Sequence, residues 1–220
     1  MKTILGADDA GRGPVLGPMV LAAVVINEED SNSLKSIGVK DSKLLTSKQR
    51  DDLYQKIIEI VKSHKIIIIT PQEIDNAIES ENSNLNTLEA TKFAELINSL
   101  KADVSIIDCP SNNIPAYTAQ LEKMLTVKTD LQCHHKADSK FLSVGAASII
   151  AKVTRDKEIE KIQKKIKEPI GSGYPSDPLT KEFLKNNWDK HPEIFRHSWA
   201  TYKVYSEGKE SKKQKKLGEY

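Results

Sequence analysis

The chain has 220 residues, 38% hydrophobic and 29% charged, which suffices for a substantial core and excludes wholesale disorder. Its 33 basic and 31 acidic residues leave a formal net charge of +2, which excludes a bulk electrostatic footprint for nucleic acid but leaves room for a local basic face. Cys109 and Cys133 are the only cysteines, too few for a disulfide framework and without the paired histidines of a zinc site.

Asp8 and Asp9 interrupt the opening before any secretory apolar run begins. The longest apolar run, Val15 to Ile26, contains Gly17 and Pro18 and is too short to cross a bilayer. A cytoplasmic monomer without membrane association is expected.

The first 140 or so residues read as α/β. β-branched runs predict strands over Ile4–Ala7, Val20–Ile26, Ile66–Thr70 and Val104–Ile107, with a further strand near Thr126–Cys133. Helical spacing predicts helices over Ser47–Lys62, with Thr46 or Ser47 as N-cap, Thr87–Leu100 and Ile114–Leu125. From Ser143 to Lys167 a long helix is expected, small and apolar at first, then striped by Ile159, Ile162 and Ile166. "GSGYPSDP" ends it, and short helical pieces are expected to about Glu207. Lys203 to Tyr220 carries six lysines against three glutamates and reads as a mobile tail.

Acids recur where the predicted strands end. The first strand delivers Asp8 and Asp9, "VSII" runs into Asp108, and "HHKAD" delivers Asp138 just before the long helix. Neighbouring residues alternate along a strand, so Asp8 and Asp9 face one ion only if the chain bends at Asp9. Gly11 and Gly13 follow closely enough to allow that bend. Carboxylates without His or Cys select hard cations, Mg²⁺ or Mn²⁺. Two such ions can activate a water and stabilise the leaving oxygen in phosphodiester hydrolysis. The competing reading is four unrelated surface aspartates.

"GADDAGRGPVLGPMV", "KDSKLLT", "IIDCP", "HKADSKFLSVGAASIIAKVTRD" and "GSGYPSDP", in this order, resemble the ribonuclease HII family, particularly its archaeal form. The resemblance runs from about residue 4 to residue 205. It implies a ribonuclease H-like fold: a five-stranded mixed sheet flanked by helices, with a helical C-terminal extension. The corresponding division is a catalytic domain over 1–168, the extension over 169–206 and the tail over 207–220. The implied activity is endonucleolytic cutting of RNA in RNA–DNA hybrids and on the 5′ side of a single ribonucleotide in duplex DNA, leaving 5′-phosphate and 3′-hydroxyl ends. The family's metal-binding acids fall on Asp8, Asp9, Asp108 and Asp138, with two Mg²⁺ or Mn²⁺ ions expected during catalysis. The second acid is typically Glu in that family, and Asp9 is one methylene shorter.

The resemblance also gives the glycine-flanked arginine a task. Ribose recognition in the family carries over to Gly11, Arg12, Gly13 and Tyr174, where backbone groups and an aromatic hydroxyl can sense a 2′-hydroxyl. A dinucleotide loop is the competing reading of "GRGPVLG"; it fails on glycine spacing and on Pro14. Lys40, Ser42 and Lys43 in "KDSKLL" are phosphate-binding candidates, although a capped, solvated helix start would use the same residues. Lys136 and Lys152 flank Asp138 and are candidates to neutralise the acids or a phosphate. His134 and His135 alternate and receive no role.

"QKKLGEY" places Gln214, Leu217 and Tyr220 as in the short peptide by which replication proteins dock on the sliding clamp (PCNA), Q-x-x-L-x-x followed by two aromatics. The second aromatic is missing. Two other classes remain open at this point: a hybrid-binding module without cleavage, weakened by Asp9, and a nucleotide-dependent enzyme using the glycine loop.

Overall fold

A computed structural model describes residues 2–39 and 46–207 of the chain. Lys40, Ser42, Lys43, Gln214, Leu217 and Tyr220 therefore lie outside the described residues. The β-branched runs form strands β1 (Thr3–Ala10), β2 (Met19–Asn27), β3 (Ser63–Ile69), β4 (Val104–Asp108) and β5 (Asp130–His134). They make one sheet in the order β3-β2-β1-β4-β5. β1 runs antiparallel to β2, with Thr3 opposite Asn27 and Ala10 opposite Val20. β4 is parallel to both β1 and β5, so the sheet is mixed, as expected.

Helices connect the strands: α1 (Ser31–Ser36), α2 (Ser47–Ile60), α3 (Pro71–Glu79), α4 (Leu85–Leu100), α5 (Ile114–Glu122), α6 (Ala137–Lys140), α7 (Leu142–Ile166) and α8 (Pro178–Asn187), with a last helical stretch over 200–207. Several boundaries differ from expectation, three of them for visible local reasons. β1 continues beyond Ala7 to Ala10, because Asp8 and Asp9 pair with Ala22 and Leu21 of β2. α2 stops at Ile60 because Val61 turns extended and the Lys62 N–H joins Val25 O at 2.8 Å. β3 stops at Ile69 because Thr70 caps an unforeseen helix, α3: its side chain accepts from the Glu73 N–H while Glu73 accepts from the Thr70 N–H. β5 also starts later than expected, at Asp130.

Two compact units are present. The first comprises Met1–Ala10, Val20–Ile68 and Leu85–Arg155; the second comprises Gly11–Met19, Ile69–Asn84 and Asp156–Tyr220. In the first, the even-numbered side of β2 (Val20, Ala22, Val24, Ile26) packs with Leu53 and Ile57 of α2 and with Ala146, Ala147, Ile149 and Ile150 of α7. The small residues of α7 permit close approach to the sheet. Gly6 sets how close: a Cβ there would lie 2.2 Å from the Ser143 carbonyl carbon and 2.3 Å from the Val144 nitrogen. The bare strand thus receives the start of α7 directly over β1.

In the second unit, Val15 and Leu16 pack with Ile159, Ile170, Phe183, Leu184, Ile194, Phe195 and Tyr202. Leu16 bridges to Phe195, and the Arg196 N–H joins Val15 O at 2.9 Å. Among the described residues no helix is long and apolar enough to cross a membrane.

Candidate active site

Four aspartates come from three elements of the first unit. Asp8 and Asp9 lie within β1, Asp108 is the last residue of β4, and Asp138 is in α6. Ala7 stands opposite Ile107 in the parallel pairing of β1 with β4, so Asp8 and Asp108 follow side by side near the carboxyl ends of adjacent strands. That is where open α/β sheets bind ligands. The bend expected at Asp9 is not made there: β1 stays regular through Ala10, and the chain turns at Gly11, whose φ of +85° favours glycine. Asp9 nonetheless stays close enough for its charge to act on the Asp8 carboxyl.

Asp8 is buried, at 6% exposure. Its carboxylate accepts the Asp9 N–H at 2.8 Å and a hydrogen bond from the Ser148 side chain of α7. Those bonds do not offset its surroundings. Burial, followed by the charge of Asp9, and more weakly that of Asp108, pushes the Asp8 carboxyl up to about 8. Asp108 Oδ1 accepts the Ala137 N–H at 3.0 Å, which ties the end of β4 to the start of α6, one residue before Asp138. Lys136, immediately before α6, is in the left-handed region at φ 54°, an uncommon conformation for a residue with a side chain. Lys152 Nζ donates to Ser148 Oγ at 2.8 Å. Ser148 thus bridges Lys152 and Asp8 by hydrogen bonds, and the i, i+4 spacing of Ser148 and Lys152 made the first of these available to a reader of the sequence.

The structure therefore brings Asp8, Asp9 and Asp108 into electrostatic contact and places Asp138 on the element bonded to Asp108. Among the described residues no three His, Cys, Asp or Glu side chains close on one point as a ligand set. The donor chemistry nevertheless fits divalent cations. A buried carboxyl raised by two neighbouring carboxylates lacks positive charge, and oxygen donors alone suit Mg²⁺ or Mn²⁺. His134 faces the Phe141 ring at 5.0 Å, and His135 Nδ1 lies 3.1 Å from Cys109 O.

The second unit holds the other candidates. Gly11, Arg12 and Gly13 form the loop after β1, and this loop leads into strand β2. A dinucleotide loop must open a helix, so that reading is excluded. Tyr174 is 41% exposed, and its Cε1 would be 3.7 Å from a Cβ on Gly13. The turn presenting it is fixed by Thr180 Oγ1, which accepts the Gly173 N–H and donates to Ile170 O, both at 3.0 Å. Asp177 Oδ2 accepts the Ser172 N–H at 2.7 Å, and that bond holds the Asp177 carboxyl below the usual carboxylate range.

Two residues missed in the sequence hold the glycine loop. Arg196, fully buried, donates to Gly11 O at 2.6 Å, Arg12 O at 2.9 Å and Gly17 O at 3.1 Å. Trp199 Nε1 donates to Gly13 O at 3.1 Å.

A mixed sheet of this strand order, carrying a buried and a half-buried aspartate side by side on its central parallel strands, defines a ribonuclease H-like nuclease. The family model for Ribonuclease HII matches residues 5–202. The chain belongs to the ribonuclease HII family, metal-dependent ribonucleases acting on RNA–DNA hybrids. It is 43% identical over 213 residues to Ribonuclease HII of Pyrococcus furiosus, covering 94% of this chain and 93% of that protein. The crystal structure of ribonuclease H2 from Pyrococcus horikoshii OT3 superposes with a TM-score of 0.86 at 41% identity, covering 94% of this chain and 98% of that one. The structure of a PCNA:RNase HII complex from Archaeoglobus fulgidus gives 0.78 at 35% identity, covering 87% and 89%.

Proposed function

We propose that this ribonuclease cuts on the 5′ side of single ribonucleotides embedded in duplex DNA, as well as within longer hybrids, leaving 5′-phosphate and 3′-hydroxyl ends. The observation that carries the proposal is geometric: buried Asp8 and half-buried Asp108 follow side by side on adjacent parallel strands, with Asp9 next to them in sequence. Asp8, Asp9, Asp108 and Asp138 would hold two divalent cations. Such cations supply water activation at neutral pH and charge stabilisation on the attacked phosphodiester and its leaving oxygen.

The remaining work belongs to the chain's own residues. Ser148, backed by Lys152, orients the Asp8 carboxylate by hydrogen bonding, and the Ala137 N–H orients that of Asp108. Gly11, Arg12, Gly13 and Tyr174 sense the 2′-hydroxyl, which donates and accepts hydrogen bonds and is absent from DNA. Ser42 and Lys43 are assigned to backbone phosphate. Asp9, shorter than the family's usual Glu, shifts the balance between Mg²⁺ and Mn²⁺.

The test is cleavage of a labelled DNA duplex containing one ribonucleotide, in Mg²⁺, Mn²⁺ or chelator, beside an all-DNA control. A metal-dependent cut on the 5′ side of the ribonucleotide is expected, lost by at least two orders of magnitude in Asp108→Asn. Binding without cleavage under both ions would overturn the proposal.

The tail is assigned to the sliding clamp, by analogy with the Archaeoglobus relative described in complex with PCNA. Gln214 would anchor, and Leu217 and Tyr220 would fill an apolar groove. The double variant Leu217→Ala, Tyr220→Ala is expected to lose clamp binding in surface plasmon resonance; unchanged affinity would refute the assignment.

A further inference from the structure

The carbonyl groups of the glycine loop converge on one buried cation. Arg196 has no exposed surface, and three of its nitrogens donate to loop carbonyls: Nη2 to Gly11 at 2.6 Å, Nη1 to Arg12 at 2.9 Å and Nε to Gly17 at 3.1 Å. The loop's fourth captured carbonyl, Gly13, accepts from Trp199 Nε1 at 3.1 Å. The Trp199 ring lies under the guanidinium, 4.9 Å from Cζ to centroid. The backbone that presents both side chains is itself fixed. Buried Asp75 accepts the His197 N–H at 2.7 Å, the Ser198 N–H at 2.9 Å and the Ser198 hydroxyl at 2.5 Å.

Burying an arginine is costly unless its donors are matched, so a side chain placed here needs a compensating task. The geometry supplies one. In a trans peptide the C=O of one residue and the N–H of the next point in opposite directions. Drawing Gly11 O and Arg12 O toward Arg196 therefore turns the N–H groups of Arg12 and Gly13 away from it, together, on the far side of the loop. Pro14 contributes no N–H, so the pair is defined. A planar guanidinium can hold several splayed acceptors at once, whereas an ammonium is a compact point donor.

We propose that Arg196, assisted by Trp199, is the positioning residue that fixes the peptide planes of Gly11 to Gly13 and thereby sets discrimination between ribose and deoxyribose. The inference rests on the assignment of that loop to ribose sensing. Arg196 has no exposed surface, and both residues act through the backbone they hold.

The test compares equilibrium binding, in chelator, of two duplexes of one sequence, one all-DNA and one with a single ribonucleotide. Wild type, Arg196→Lys and Trp199→Phe are measured as full chains, with circular dichroism melts confirming the fold. General loss of folded protein lowers both affinities together and leaves their ratio alone. Loss of positioning collapses the ratio. The ribose preference is expected to fall roughly 10- to 100-fold in Arg196→Lys and several-fold in Trp199→Phe, as for hydrogen bonds to charged and to neutral donors respectively.

A folded Arg196→Lys protein with the full wild-type preference would overturn the proposal. Where Arg196→Lys does not fold, Trp199→Phe decides, and an unchanged ratio there overturns it. Wild type without any preference would instead sink the ribose-sensing assignment, and the role proposed for Arg196 with it.

Discussion

Asp8 is a carboxyl whose folded surroundings oppose its ionisation. Burial and the charges of Asp9 and Asp108 push it up to about 8, against an ordinary value of 3.8. Between those two pH values the folded protein keeps a proton that the unfolded chain has released. Without divalent cations, stability therefore falls as pH rises from about 4 to 8, by an amount on the order of a few kcal/mol. Thermal melts in EDTA across that range should show the decline, and Asp8→Asn should flatten it. Adding Mg²⁺ should restore stability most strongly at the alkaline end; a melting temperature independent of pH in EDTA would contradict this account. The acids themselves were legible because each follows an apolar run or precedes a helix. The path of the chain between them was not. Alternation suggested a bend at Asp9, but pairing with Leu21 of β2 keeps the strand regular there. Arg196 was illegible for a plainer reason: its partners are backbone carbonyls near the other end of the chain, and no side-chain pattern announces them.

Among the elements, α3 is the clearest case of a signal present but masked. Thr70-Pro71 followed by Glu73 is a capping box with proline at the first helical position, yet the isoleucine run before it draws Thr70 into a strand. The helix matters because it carries Asp75, which holds the backbone immediately after Arg196. Thr70→Ala removes the side chain that accepts the Glu73 N–H and should cost about 1 kcal/mol, read as a lowered midpoint in urea unfolding. An unchanged midpoint would mean that packing of Ile74, fully buried, holds the helix without its cap. The long helix α7 was readable almost to the residue, since small residues followed by an isoleucine stripe have one interpretation. What sequence could not convey is that Gly6 lets its first turn reach β1. That close approach is a property of two elements at once.

Across the whole molecule, the chain passes repeatedly between its two compact units, so neither is a separate stretch of sequence. A chain ended at Arg155 would contain every residue of the first unit and all four aspartates. It would also strip Val15 and Leu16, both fully buried, of Ile159, Ile170, Phe183 and Phe195. Such a fragment should bind a hydrophobic dye and melt without a sharp transition; a cooperative melt would show that the first unit is self-sufficient.

The bonds from Arg196 to Gly11 and Arg12 have a consequence in time. A growing chain emerges from its amino end, and its segments fold in that order. Gly11 and Arg12 emerge among the first residues, yet the side chain that pins them is 185 and 184 positions later. The four acids have all been synthesised well before that arginine. The bonds that pin Gly11 and Arg12 are therefore among the last that a newly made chain can form, although the residues they hold are among the first to emerge.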